Sequence, residues 1–205
     1  MVKKYTSGAF FTNTYLVIEG QKCVIVDPGL GFNSYAQEIK DSYDIMAILI
    51  THGHMDHIDS IGLFSCPIYI NKDEEKFLID DTLSLYKIYG KKRTFDVNNL
   101  DIHYFNDEDI INIGDMSFKV ITTPGHTKGS CCFLYKNCLF SGDTLFQYSM
   151  GRTDFPTGSE KDMKASLRKI VNEVSDNVVV YPGHGEKTTI KFERQNNPYV
   201  INAIK

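Results

Sequence analysis

Short apolar, β-branched runs alternate along the chain with stretches of three- and four-residue hydrophobic spacing, and this alternation sets the expected elements. Runs at 15–18, 24–26, 45–50, 68–70, 118–121, 132–135, 139–140 and 178–181 read as buried strands, several of them closed by Gly or Pro. Helical spacing predicts helices at 35–40, 73–79, 82–89 and 160–174. The last places Met163, Leu167, Ile170, Val171 and Val174 on one stripe, which reads as a core-packing face. Strands interleaved with helices predict a layered α/β (α+β) fold. No Ser/Gly/Pro-rich linker interrupts the pattern, so a single domain over 1–205 is expected.

Four of these strands run directly into side chains able to bind a metal. Strand 45–50 leads into Thr51-His52-Gly53-His54-Met55-Asp56-His57, and 118–121 leads into Thr122-Thr123-Pro124-Gly125-His126. Strand 139–140 leads into Ser141-Gly142-Asp143, and 178–181 into Pro182-Gly183-His184. Loops at the carboxyl ends of strands are where scaffolded sites sit. Neutral imidazole and carboxylate suit zinc, and also iron or manganese. The seven donors His52, His54, Asp56, His57, His126, Asp143 and His184 are too many for one metal that keeps a position open. They suffice for two metals sharing a carboxylate and a solvent hydroxide, the logic of metal-assisted hydrolysis. The sixth histidine, His103, alternates with apolar neighbours over 101–105 and reads as a solvent-facing strand residue.

The series His52-x-His54-x-Asp56-His57, His126, Asp143, His184 resembles the ligand series of the metallo-β-lactamase superfamily. Asp27-Pro28-Gly29 is similar to that superfamily's early Asp-Pro-Gly turn. The resemblance implies a four-layer αββα sandwich with the metals at one edge of two sheets. It implies two divalent cations, zinc before iron or manganese. His52, His54 and His126 would hold the first and Asp56, His57 and His184 the second. Asp143 would bridge them, and Asp27 would support the ligands from behind.

The branch is narrowed by further residues. His54 stands where flavodiiron oxygen reductases carry glutamate. Asp143 stands where broad-spectrum β-lactamases carry cysteine, which argues against antibiotic hydrolysis. Pro124-Gly125-His126-Thr127-x-Gly129-Ser130 and Ser141-Gly142-Asp143-Thr144-Leu145-Phe146 are similar to glyoxalase II and its thioesterase relatives. Gly151-Arg152-Thr153-Asp154-Phe155-Pro156 and Thr188-Thr189-Ile190-x-x-Glu193-x-x-x-Asn197-Pro198-Tyr199 resemble the short bacterial glyoxalase-II-like hydrolases. The implied activity is hydroxyacylglutathione hydrolase-like: hydrolysis of a small acyl thioester by a metal-bridging hydroxide that Asp56 and Asp143 orient. Too little chain follows His184 for the helical domain that holds glutathione in full-length glyoxalase II, so that domain is expected to be absent. Arg152 falls where the family places a lysine on the carrier's carboxylate, and its guanidinium could bind a substrate anion. Asp154 and Glu186 replace two of the family's tyrosines. Persulfide dioxygenases share the Gly-Arg-Thr-Asp-Phe stretch and form the alternative, a single iron on His52, His126 and Asp143. Pro156 after Phe155 and Gly185 after His184 lean to the hydrolase.

Composition narrows the partners. Lys and Arg total 22 against 26 Asp and Glu, a net charge of −4 without the basic footprint of a nucleic-acid binder. The basic cluster Lys87, Lys91, Lys92 and Arg93 reads as a solvated face. No apolar run approaches a membrane span, and the start lacks the apolar region of a signal peptide. Five cysteines without a Cys-x-x-Cys pair read as reduced thiols of a cytoplasmic protein. The expected partner is a small-molecule substrate, with neither nucleic acid nor membrane.

Overall fold

Every apolar run named above forms a strand to within three residues at its ends, and the strands assemble into two six-stranded sheets. The computed structural model describes residues 1–205. They divide into two compact units, Met1–Phe105 with Ile113–Met116, and Asn106–Asn112 with Ser117–Lys205.

In the first unit the strands are β1 (Val2–Ser7), β2 (Thr12–Glu19), β3 (Lys22–Val26), β4 (Asp44–Leu49), β5 (Ile68–Asn71) and β6 (Ile102–Phe105), lying side by side in chain order. β1, β2 and β3 are antiparallel, and β3 to β6 are parallel. Two helices, α1 (Ala36–Ser42) and α2 (Met55–Ile58), follow β3 and β4. Leu16, Ile18, Ile25, Ile48, Ile50, Ile68 and Ile70 pack with Phe32, Ile39, Met55 and Ile58 in one core. The intervening Val17, Val24, Val26, Ala47 and Leu49 are buried as well. A sheet buried on both faces produces unbroken apolar runs, which is why these strands carry no polar alternation.

Two helical expectations in this unit need correction. Residues 73–79 form a 3-10 turn, Lys72–Leu78, rather than an α-helix. Residues 82–89 form successive turns, with Leu85 at φ 71°, in the left-handed region that a helix cannot contain. Burial decides the matter: Leu85 and Tyr86 both face the core, and the Tyr86 hydroxyl donates to Asp59 Oδ1 at 2.8 Å. Tertiary packing outweighs helical spacing here.

The second sheet contains β7 (Ile110–Ile113), β8 (Met116–Thr122), β9 (Cys131–Tyr135), β10 (Cys138–Gly142), then β13 (Val179–Pro182) and β14 (Thr188–Thr189), in the order β14-β13-β10-β9-β8-β7. A separate ribbon pairs β11 (Leu145–Phe146) with β12 (Ser149–Met150). β10 and β13 run parallel, so Asp143 and His184 follow neighbouring strand ends. Helix α3 (Glu160–Glu173) is capped by Ser159, whose side chain accepts from the Asp162 N–H, a cap worth about 1 kcal/mol. Its stripe Met163, Leu167, Ile170 and Val171 packs with Ile121, Val180 and Val200, as the spacing predicts. Helices α4 (Ile190–Asn196) and α5 (Pro198–Ile204) complete the unit. No helix in either unit is long and apolar enough to cross a membrane.

Candidate metal centre

The first unit presents four of the expected donors beyond the end of β4, and Asp27 organises three of the residues around them. Asp27 is buried and sits at φ 53°, a left-handed conformation that aspartate adopts more readily than most residues. Its Oδ1 accepts the Thr51 N–H at 2.8 Å, and its Oδ2 accepts the Thr51 hydroxyl at 2.6 Å. His57 Nδ1 lies 2.9 Å from the same Oδ2 and must donate to it, which leaves the lone pair on Nε2. Thr51 has spent its proton on Asp27, so at 3.2 Å its oxygen accepts from His52 Nδ1. One carboxylate therefore fixes the tautomer of His57 directly and of His52 through Thr51. The His52 ring lies 4.1 Å from the His57 ring and 4.8 Å from that of His54, between centroids, with all three buried.

The turn after Asp27 is clamped to α2. Leu30 N donates to the Asp56 carbonyl, Ser60 N to the Pro28 carbonyl, and the Ser60 hydroxyl to the Gly29 carbonyl. A Cβ on Gly29 would fall 1.4 Å from the Asp56 carbonyl oxygen, so no other residue fits against this helix. Two contacts escaped the sequence reading. The Thr12 hydroxyl donates to Asp56 Oδ2 at 2.9 Å, and the Gly53 N–H donates to Glu74 Oε2 at 2.7 Å. Thr12 lies in an ordinary strand, and Glu74 is one acid within the charged stretch Lys72-Asp73-Glu74-Glu75-Lys76, so neither carries a sequence signal.

The second unit presents His126, Asp143 and His184. The His126 Nδ1 lies 2.7 Å from the Arg152 carbonyl oxygen, which can only accept, so Nδ1 carries the proton and Nε2 the lone pair. That Nε2 lies 3.5 Å from Asp143 Oδ2, and His184 Nε2 lies 3.4 Å from the same oxygen. In the first unit His57 Nε2 lies 3.6 Å from Asp56 Oδ2. These separations are long for a hydrogen bond. They match the edge of a tetrahedron with metal–donor bonds of about 2.0–2.2 Å, which spans roughly 3.3–3.6 Å. Lone pairs and carboxylate oxygens facing one another at that distance suit a shared cation. The chain thus has His and Asp groups that could hold a metal ion.

Comparison with known proteins fixes the family. The sequence model of the metallo-beta-lactamase superfamily matches residues 7–184. The chain belongs to the metallo-beta-lactamase superfamily. Its two six-stranded mixed sheets and helices are the fold that the resemblance implies. Within the superfamily it is 31% identical to hydroxyacylglutathione hydrolase GloC of Haemophilus influenzae over 205 residues, 94% of each chain. BLEG-1, a B3 metallo-beta-lactamase, is 34% identical with a TM-score of 0.90, the match covering 98% of this chain and 99% of that one. TTHA1623, crystallised in a di-iron-bound form, is 28% identical with a TM-score of 0.84, covering 96% and 99%. At this level the chain is a superfamily hydrolase, and superfamily members bind divalent metals.

Outside the donors, Arg152, Asp154, Thr188, Glu193 and Asn197 have evident occupations. The Arg152 guanidinium is held by Asp154, Nε and Nη2 each donating at 2.6 Å, and lies 3.9 Å over the Phe155 ring. Those bonds pull the Asp154 carboxyl down to about 2. Thr188, Glu193 and Asn197, from the motif that resembles the short glyoxalase-II-like hydrolases, form a clamp. Buried Glu193 accepts the Thr188 hydroxyl at 2.6 Å, the Tyr148 N–H at 2.9 Å and Asn197 Nδ2 at 2.8 Å. Asn197 also donates to the Phe146 and Ser149 carbonyls, so α4 and α5 pin the β11–β12 ribbon. That ribbon sets Phe146 edge-on to the His184 ring, 5.9 Å between centroids.

Proposed function

We propose that the chain hydrolyses a small acyl thioester at a centre of two divalent cations. In this reading both units act as one metallo-beta-lactamase domain over 1–205. His52, His54 and His126 hold one cation, Asp56, His57 and His184 the other, and Asp143 is shared between them. The observation that carries the reading is the Asp143 carboxylate oxygen, flanked by His126 Nε2 and His184 Nε2 at 3.5 and 3.4 Å. An oxygen with an imidazole nitrogen on either side has the surroundings of a bridge between cations. Within single units, the pairing of His57 with Asp56 in the first and of His126 and His184 with Asp143 in the second supports the reading. The di-iron-bound form of TTHA1623 and the name of GloC support the metal count and the substrate class. The nitrogen and oxygen donors suit zinc first, and iron or manganese after it.

When bound, the cations make water acidic enough to act as a nucleophile near neutral pH and draw off charge at the carbonyl under attack. The chain's own residues supply orientation. Asp27 and Thr51 hold His52 and His57 in the tautomer that turns Nε2 away from them. The carboxylates of Asp56, steadied by Thr12, and Asp143 orient the attacking water. A thiolate with a conjugate-acid pKa of about 8–9 leaves without a general acid. Arg152 meets the anionic end of the substrate by exchanging Asp154 for it.

The likeness to BLEG-1 makes a β-lactam the second substrate to test, although Asp143 in place of cysteine argues against it. The deciding experiment joins metal analysis of the purified protein to a panel of an S-acylglutathione, a neutral acyl thioester, a persulfide with oxygen uptake, and a β-lactam. Two metals per chain and thioester turnover without oxygen uptake are expected. One iron with oxygen consumed on the persulfide would replace this reading by the dioxygenase, and turnover of the β-lactam alone by a lactamase.

A further inference from the structure

We propose that Glu74 is a positioning residue of the metal centre, fixing the peptide between His52 and His54 and thereby the spacing of two imidazoles. The inference rests on reading those histidines as ligands. The turn Lys72–Leu78 carries three acids, of which Asp73 and Glu75 face solvent while Glu74 is wholly buried. Burying a carboxylate is costly unless it gains partners, and a short turn has no need of one for its own stability. The Glu74 carboxylate instead reaches a residue 21 positions away, accepting the Gly53 N–H at 2.7 Å.

A second element of the same turn acts on the same segment. The Phe77 ring lies 5.8 Å from the His54 ring, and a Cβ on Gly53 would fall 2.3 Å from Phe77 Cβ. His52-Gly53-His54 is thus seated on this turn at its central peptide and at one of its rings. Loss of the acceptor would leave a buried N–H to seek another partner by rotating that peptide, which would turn both histidine side chains. Metal sites tolerate only about 0.5 Å of such displacement.

The test uses the whole protein and measures zinc affinity by competition with a chromophoric chelator, not turnover. Glu74→Gln keeps an acceptor oxygen at the same reach and is expected to bind within about three-fold of wild type. Glu74→Asp keeps the charge but withdraws the oxygen by one methylene, and Glu74→Ala removes it. Both are expected to bind about 10–100-fold more weakly, the usual effect of losing a group that orients a ligand. Melting of the chelator-treated proteins checks that each is folded, and the Gln/Asp pair decides the matter even if the alanine variant does not fold. Wild-type affinity in Glu74→Asp would overturn the proposal, as would an equal loss in Glu74→Gln, which would point to charge instead of position. A wild-type chain that takes up no zinc would overturn the metal reading itself, and Glu74's part with it.

Discussion

At the scale of single residues, the chemistry of a histidine is decided by what its other nitrogen touches. His57 and His126 each have Nδ1 committed to an oxygen acceptor, so their Nε2 atoms face Asp56 and Asp143 with lone pairs. His103 has the same side chain in other surroundings. It is exposed on β6, its Nε2 lies 3.0 Å from Asp101, and its ring stacks on Tyr69. The contrast makes a prediction. Asp143→Ala should reduce turnover to background and lower the metal content of the isolated protein, while His103→Ala should change neither. Metal analysis and a thioester assay on both variants check it, and equal effects would remove the basis of the site.

At the scale of elements, the Glu193 clamp ties the C-terminal helices to a ribbon some 45 residues earlier in the chain. Glu193→Ala leaves the Thr188 hydroxyl and the Tyr148 N–H without their acceptor, each worth about 1–3 kcal/mol when buried, while Asn197 keeps its carbonyl partners. A loss of several kcal/mol is expected, read as a fall of at least about 5 °C in melting temperature. A melting point within 1 °C of wild type (about 0.3–0.5 kcal/mol at this chain length) would show that the clamp carries no stability. Elements differ sharply in how far the sequence disclosed them. β2, β3 and β4 were legible because both of their faces are buried, which forces continuous Val, Ile and Leu. Residues 82–89 were misread because the left-handed Leu85 answers to packing and leaves the apolar spacing unchanged. The histidine-rich loop was plain, since its chemistry is local. Thr12 and Glu74 were not, because their contacts with Asp56 and Gly53 span 44 and 21 residues. The Thr188, Glu193 and Asn197 motif was visible as a signature, but only the hydrogen bonds show it to be a brace.

At the scale of the whole molecule, any cation bound by the folded chain and not by the unfolded one adds stability by mass action. At a free concentration one hundred times its dissociation constant, one cation contributes about 2.7 kcal/mol. For a chain of this size that corresponds to a rise of about 5–10 °C in melting temperature. Chelation is expected to reverse that rise and readdition of zinc to restore it, both followed by thermal melts. A melt indifferent to chelator would mean that folding and metal binding are not linked. Asp27 and the Arg152 carbonyl hold the His57 and His126 imidazoles in place. Imidazoles oriented in this way need little further turning to meet a cation. Ligand groups bind a metal only in their deprotonated form, so acidification should release any cation held there.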